Sequence, residues 1–410
     1  MPSISAMRDE EEQAVASAVV IREYNPKTDP DGTDAVDREC EVGPAGGMSL
    51  HADLLGDPVA RIRHSPHHLM LVAETSGPGG RIVGLIRGTV KSVATGKSFP
   101  GAPSFANVGY ILGLRVAPSH RRMGIAFMLV QQLEQWFQLE GAEYAYMATD
   151  KSNEASLRLF TGRCGYSKFR TPSLLVHPVY AHRLSAPRRA TVIRLDAGDA
   201  ERLYRSRFAH VEFFPADIGA VLENQLSQGT FLAIVDGDGD GRYEWRGVEN
   251  FLASPPASWA VASAWDCGGV FRLEVRGASR LRRGAAAATR ALDRAARWLR
   301  LRVPSVPDLF RPFAGWFVYG LGGDGRDAPL AVEALFARIV NAARGAAAAV
   351  AVEVAALDPL RARIPHWRRL SCAEDLWCMK RLGDGGGHVD AWDWARSAPG
   401  SSIFVDPREV

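Results

Sequence analysis

Cysteine is scarce in this chain: five residues in 410, at Cys40, Cys164, Cys267, Cys372 and Cys378, with no C-x-x-C pair among them. That spacing offers neither a zinc site nor a disulfide framework and points to a reducing compartment. Long apolar runs are missing as well. The longest, around 346–357, is interrupted by Glu353 and is too short to cross a bilayer. Neither sign of charge dominates: 49 Lys and Arg against 46 Asp and Glu leave a net +3, too little over the whole molecule to imply nucleic acid. Residues 1–17 hold an acidic cluster at 9–12 and no apolar stretch, so a disordered lead-in is expected there rather than a secretory signal. What remains is a composition 47% hydrophobic and 23% charged, that of a globular protein, in a length that favours two or three domains.

The most informative stretch is 110–166. Residues 110–116 are apolar and β-prone and stop at Ala117-Pro118, where proline cannot donate to a ladder. A basic loop follows, and then Phe127, Leu129, Val130, Leu133, Trp136 and Phe137 recur at helical spacing up to Gly141. Strand, tight loop and helix in that order make an anion site, because the first N–H groups of a helix have no intrahelical partner and face the positive end of its dipole. Gly124 and Ala126 allow close approach, and Arg121 and Arg122 add charge. The loop has the form R-x-x-G-x-A, which is neither a Walker loop nor the dinucleotide fingerprint. A strand at 143–149 and a helix at 153–160 come next, the latter closed by Gly162.

These features resemble motifs A and B of the GCN5-related N-acetyltransferases (GNAT): Arg121, Gly124 and Ala126 in the first, Asn153, Ser156, Leu159, Phe160 and Gly165-Tyr166 in the second. The resemblance implies acetyl-CoA as cofactor, its pyrophosphate on Arg121, Arg122, Met123, Gly124, Ile125 and Ala126. It also implies a splayed strand whose backbone at Leu114, Arg115 and Val116 aligns the pantetheine arm and polarises the thioester carbonyl. Asn153 and Phe160 would line the cofactor arm. Many relatives carry a tyrosine acid where Phe160 stands and a glutamate base where Tyr110 stands; with both absent, Tyr110, Glu41 and Glu74 are the replacement candidates. The whole span 19–382 is similar to the plant Hookless-type N-acetyltransferases, through segments such as Cys40-Glu-Val-Gly-Pro44, Leu112-Gly-Leu-Arg-Val116 and Glu212-Phe-Phe-Pro215. That group implies a lysine-bearing protein acceptor, association with chromatin, a role in growth and hormone response, and a nuclear location, with the cytoplasm as alternative.

The rest of the chain fits around this centre. Strands are expected at 19–24, 69–74 and 81–91, a longer loop at 92–103, and a last strand of the first unit at 173–176. Thr191, Thr230, Ser258 and Trp316 then open strands that echo the first half, and a helix at 329–344 and a strand at 346–354 follow. The fold expected is α/β with mixed α+β sheets: two tandem GNAT-like domains, 19–185 and 190–383, the second degenerate, and a flexible tail over 384–410. Asp324 and Asp327 put negative charge where the second copy would hold a pyrophosphate, so that copy should not bind coenzyme A. Acids at Asp29, Asp31, Asp34, Asp37, Glu39, Glu41, Asp53 and Asp57 would steer a cationic amine, or form a solvated face. His64, His67 and His68 lack further ligands at metal spacing, and no metal is expected. The calcium-like start at 236–241 has Gly247 where the bidentate glutamate belongs and reads as a hairpin loop. In 276–302 nine arginines accompany an apolar stripe of Leu281, Ala285, Ala288, Leu292, Ala295 and Leu299, taken as the docked face of a basic helix. An alternative function is a weakly catalytic or inactive binding module acting through that helix and the second domain.

Overall fold

The computed structural model describes residues 19–40, 49–99, 102–235, 243–298, 303–371, 375–383 and 393–410. Within them the strands are β1 (Val19–Glu23), β2 (Ser49–Asp53), β3 (His67–Thr75), β4 (Ile82–Phe99), β5 (Ala102–Val116), β6 (Tyr144–Asp150), β7 (Ser167–Arg170), β8 (Ser173–Pro178), β9 (Ala190–Leu195), β10 (Ser227–Val235), β11 (Trp259–Asp266), β12 (Arg272–Arg276), β13 (Gly315–Asp324), β14 (Ala349–Val354) and β15 (Asp375–Arg381). The helices are α1 (Pro30–Glu39), α2 (Ile125–Leu139), α3 (Glu154–Leu157), α4 (Ala197–Phe208), α5 (Ile218–Leu222), α6 (Val248–Ala253), α7 (Arg280–Trp298) and α8 (Ala328–Ala343).

Two mixed sheets carry the molecule. The first has the order β1-β3-β4-β5-β6-β15-β7 and the second β8-β14-β13-β11-β10-β9. Each contains one parallel pair, β5 with β6 and β13 with β14, and each pair is joined by a crossover helix, α2 or α8. Parallel neighbours need such a crossover, which is why the helical spacing of the sequence falls between two strand signals. On α2 the residues Ile125, Leu129, Val130, Leu133 and Phe137 are buried on the outer face of the first sheet. A fully buried side chain of this size is worth about 1.5–3 kcal/mol in transfer free energy. The inner faces share one core, built from Tyr146, Phe213, Trp377, Trp394 and Phe404 among others. The repeat survives in fine detail, since each central strand has a left-handed glycine at a register shift, Gly113 at φ +63° and Gly320 at φ +60°.

Several expectations are corrected. The strand expected to end the first unit is β8, and it pairs with β14 in the second sheet. In exchange β15, from the far end of the chain, enters the first sheet between β6 and β7. The loop expected over 92–103 is instead the tip of a long β4–β5 hairpin. Ala94 pairs with Phe105, and the second unit holds the tip through Ala94 N to Phe214 O at 2.9 Å and Phe213 N to Ala94 O at 2.8 Å. Pairing partners that are remote in sequence override the Gly and Pro signals of that segment. The expected helix at 153–160 is one α turn, α3, followed by a π-helical turn at Arg158–Arg163. The flexible tail is wrong for 393–410, where Trp394, Phe404, Asp406, Arg408 and Glu409 are buried; 384–392 lie outside the described residues. On α7 the apolar stripe is turned to solvent: Leu281 is 87% and Leu292 56% exposed, while Ala286, Asp293 and Ala296 are buried. Leu299 and the segment 236–242 lie outside the described residues.

Candidate active site at the splay of two central strands

The parallel ladder of β5 and β6 runs from the pair Val108–Tyr144 to Ile111–Met147 and stops there. On the other edge of β5 the register against β4 shifts between Leu85–Arg115 and Arg87–Leu112. Gly113, at φ +63°, supplies the left-handed conformation that this bulge requires. A bulge bends its strand and re-aims the backbone, so residues 112–116 leave β6 and open a wedge. One wall of the wedge is that segment, with Leu114, Arg115 and Val116 half-buried. The other is the end of β6, where Ala148 pairs with Trp377, Thr149 with Leu376 and Asp150 with Asp375 on β15. Val116 O accepts from Cys40 Sγ and from Arg121 Nε, each at 3.3 Å.

The basic loop lies just beyond. A short 3-10 turn at Pro118–His120 is followed by Arg122 at φ +64° and by Gly124, the N-cap of α2, at φ +80°. A non-glycine residue at positive φ is uncommon, and such backbone clusters at ligand clamps. No side chain caps α2, so its first N–H groups have no side-chain acceptor. With Ile125 buried as the anchor of the first turn and Met123 and Ala126 half-buried around it, the loop fits a pyrophosphate.

Two cofactor contacts expected from sequence look different in the fold. Asn153 is exposed, but its side chain is busy: Oδ1 accepts from Ser156 N at 3.2 Å and Nδ2 donates to Thr149 Oγ1 at 3.1 Å. Phe160, 1% exposed, stands edge-on to Tyr166 with ring centroids 5.1 Å apart. It is a core residue and does not line the cofactor arm.

The base candidates also scatter. Tyr110 is 8% exposed and its ring lies 4.8 Å from that of Tyr146. Burial, reinforced by the charge of Glu409, pushes its phenol far above the usual range, so it does not serve as a base near neutrality. Glu74 sits on β3 opposite Ile82, with β4 between it and β5, and accepts from Arg22 Nε at 2.6 Å. Glu41 lies outside the described residues.

The acids expected to steer a cation are largely neutralised. Asp29 pairs with Arg22 at 2.6 Å, Asp34 with Arg38 at 2.6 Å, Asp37 with Arg87 at 2.9 Å, Glu39 with Arg81 at 2.7 Å, and Asp57 with Arg63. The Arg22 hydrogen bonds hold the Asp29 carboxyl down at about 2. Arg61, Arg87 and Arg115 lie within electrostatic reach of one another, and burial lowers the affinity of Arg61 and Arg115 for their protons. Carboxyls with raised proton affinity gather instead on the opposite wall. Burial, with the charge of Asp150 added, raises Asp375 to about 6. Burial and then the charge of Asp375 raise Glu353 on β14 to about 8, against a hydrogen bond from Trp377 Nε1 to its Oε1 at 3.2 Å.

Glu353, Trp377 and Asp375 are absent from the sequence-based site because β15 reaches β6 only through the strand exchange, and Glu353 comes from β14 of the second sheet, where it meets Trp377 across the shared core. The signal available for β15 was the apolar run Leu376 to Met379. Among the described residues no three His, Cys, Asp or Glu side chains assemble a metal site. His67 Nδ1 lies 3.0 Å from Glu140 Oε2, and His64 stands edge-on to Trp265. No helix among the described residues is long and apolar enough to cross a membrane. In the second sheet the matching helix start is filled from within, Asp327 N donating to Ser258 Oγ at 2.9 Å.

Residues 38–166 match the Acetyltransferase (GNAT) family. Over 402 residues the chain is 54% identical to "Probable N-acetyltransferase HLS1" of Arabidopsis thaliana, covering 95% of this chain and 99% of that protein. Over 429 residues it is 39% identical to "Acetyl transferase GW6a" of Oryza sativa subsp. japonica, covering 95% and 97%. Among solved structures, a GCN5-related N-acetyltransferase from Kribbella flavida aligns at 14% identity and a TM-score of 0.45, covering 90% of this chain and 72% of that one.

Proposed function

This chain belongs to the GCN5-related N-acetyltransferases, in their plant Hookless-type group, and from that premise we propose which of its residues serve acetyl transfer. It is an N-acetyltransferase that uses acetyl-CoA and an amine acceptor. Acetyl-CoA supplies an acetyl thioester. The N–H groups at the start of α2, from Gly124 onward, take its pyrophosphate with help from Arg121 and Arg122. The backbone edge at Leu114, Arg115 and Val116, which the β6 ladder no longer covers, aligns the arm and polarises the thioester carbonyl. The observation that carries this reading is the end of the β5–β6 ladder at Ile111–Met147, with the uncapped helix start at the mouth of the opening.

Calorimetric titration of acetyl-CoA into the wild type and Gly124→Glu tests it. A carboxylate at the helix start should weaken binding more than about tenfold, or about 1.4 kcal/mol. Equal heats for both proteins, or none for the wild type, refute the assignment. The finer reading is that the acceptor is a protein lysine, including histone lysines, and that the enzyme works in the nucleus on chromatin in growth and hormone response. It rests on the Hookless-type resemblance. Acetylation of a histone-tail peptide in preference to spermidine, followed by mass spectrometry, is its test.

A second reading, a weakly catalytic or inactive binding module, has one observation in its favour. Leu281 and Leu292 stand exposed on α7 beside the exposed Arg283 and Arg294. That reading predicts acetyl-CoA binding without turnover on any amine.

A further inference from the structure

We propose that Glu353, carried by the second unit, is the general base for the amine acetylated on the first. The inference rests on the acetyl-transfer reading above and adds the residue that the central strand of the first unit lacks.

β5 and β6 separate after Ile111–Met147, and the next residue of β6, Ala148, is paired on its other side with Trp377 of β15. Trp377 belongs to the core shared by the two sheets, on the face away from α2, with its ring 5.5 Å from that of Tyr146. Its indole N–H donates to Glu353 Oε1 at 3.2 Å. α2 covers the opposite face of the first sheet, so Glu353 stands on the side of the wedge away from that helix and within electrostatic reach of Tyr110, and in this proposal the amine meets the thioester from that side. The indole holds one carboxyl oxygen. For the other, Oε2, there is no hydrogen-bond partner among the described residues, and Glu353 is half-buried, not sealed.

The surrounding charges agree with this role. Burial is the largest influence, Asp375 of β15 and Glu409 of the C-terminal segment add negative charge, and the indole opposes both, leaving a group that changes protonation at about 8. From β5 the group in reach is Tyr110, itself held neutral, and on the β8 side Arg361 donates to Ser173 Oγ at 3.1 Å. A base works best when its affinity for a proton lies near the working pH. In the step itself, the Glu353 carboxylate takes one proton from the ammonium group. The free amine nitrogen bonds to the acetyl carbon, the carbon–sulfur bond breaks, and the second nitrogen proton ends on the coenzyme A thiol. Glu353 then returns its proton to water, so the sum is ammonium plus acetyl thioester giving amide, thiol and one proton.

The test uses the full chain as wild type, Glu353→Gln and Trp377→Phe, with a histone-tail peptide and spermidine as probe amines and thiol release as readout. In the wild type kcat/KM should rise through a limb near the Glu353 midpoint, about 8. Glu353→Gln should lose that limb and fall on the order of a hundredfold while acetyl-CoA affinity, by calorimetry, stays within about twofold. Trp377→Phe keeps an aromatic ring in the shared core but removes the N–H, so the limb should move to higher pH. A Glu353→Gln profile matching the wild type overturns the proposal and leaves acetyl transfer intact. Failure of the wild type to bind acetyl-CoA overturns the functional reading and this proposal with it. If acetyl-CoA binds but neither amine is acetylated, infrared difference titration of wild type against Glu353→Gln decides. A carboxyl signal titrating near neutrality or above supports the assignment, and one titrating in the ordinary carboxylate range refutes it.

Discussion

Glu353 is a carboxyl whose affinity for a proton rises on folding, and the sign of its effect on stability follows from that. Protonated Glu353 is the form the fold prefers, so its contribution is fully present below about 4.5 and is lost as pH rises through about 8. Asp375 acts in the same sense up to about 6. Urea unfolding at pH 5 and at pH 8 should therefore show a wild-type stability that falls with pH by more than that of Glu353→Gln, which cannot ionise. Equal pH dependence in the two proteins would place Glu353 in water and not in the crevice. At the same scale, Tyr110 shows why residue identity alone does not name a base. A tyrosine at that strand position is stacked on Tyr146 and driven away from ionisation by the core that surrounds it.

Helix α7 shows the limit of reading an element by its apolar stripe. The stripe of Leu281, Ala285, Ala288, Leu292 and Ala295 lies on one side, yet the side that docks carries Ala286, Asp293 and Ala296. Asp293 decides the matter. Its Oδ2 accepts from Ala181 N at 2.9 Å and from Ser305 Oγ at 2.7 Å, and its Oδ1 lies 2.8 Å from His182 Nδ1. Burial alone would raise this carboxyl, but the Ser305, His182 and Ala181 hydrogen bonds outweigh it and hold it below the usual range. Asp293→Ala leaves those donors unpaired and should cost about 1–3 kcal/mol. Leu292→Ala, at an exposed position, should stay within about 0.5 kcal/mol. Chemical denaturation of the two variants separates docking by the acid from docking by the stripe.

At the scale of the molecule, the two sheets are joined by exchanged strands and by the segment 393–410 between them. Lys91 of β4 reaches Asp406 Oδ2 at 3.0 Å and Glu409 Oε1 at 2.7 Å, and Tyr146 OH donates to the same Glu409 oxygen at 2.5 Å. Arg408 closes the network on Asp406 and on Asp217, each at 2.7 Å. Such a buried cluster is weak evidence for net stability, but removing one member strands the others. Lys91→Met should cost about 3–5 kcal/mol, read from urea unfolding of the full chain. A change below about 1 kcal/mol would mean that the acids find water, and that the segment is loosely seated.

The strand, basic loop and helix at 110–139 were legible from the sequence because that signal is local: strand propensity, a proline stop, a left-handed glycine and apolar residues at helical spacing. The tandem repeat was legible for the same reason, as an order of elements. What the tertiary structure alone decided is which distant segments complete the first sheet and its site. β8 and β15 change places between sheets, the C-terminal segment fills the shared core, and Asp37 and Glu39 meet Arg87 and Arg81, arginines remote from them in sequence. Cross-strand pairing and ion pairing between remote segments leave no periodicity to read. Glu353 in particular is an isolated acid in an apolar run until β14 brings it to the indole of Trp377. Its proton affinity is then set by burial, which is a property of the packed molecule and of no stretch of its sequence.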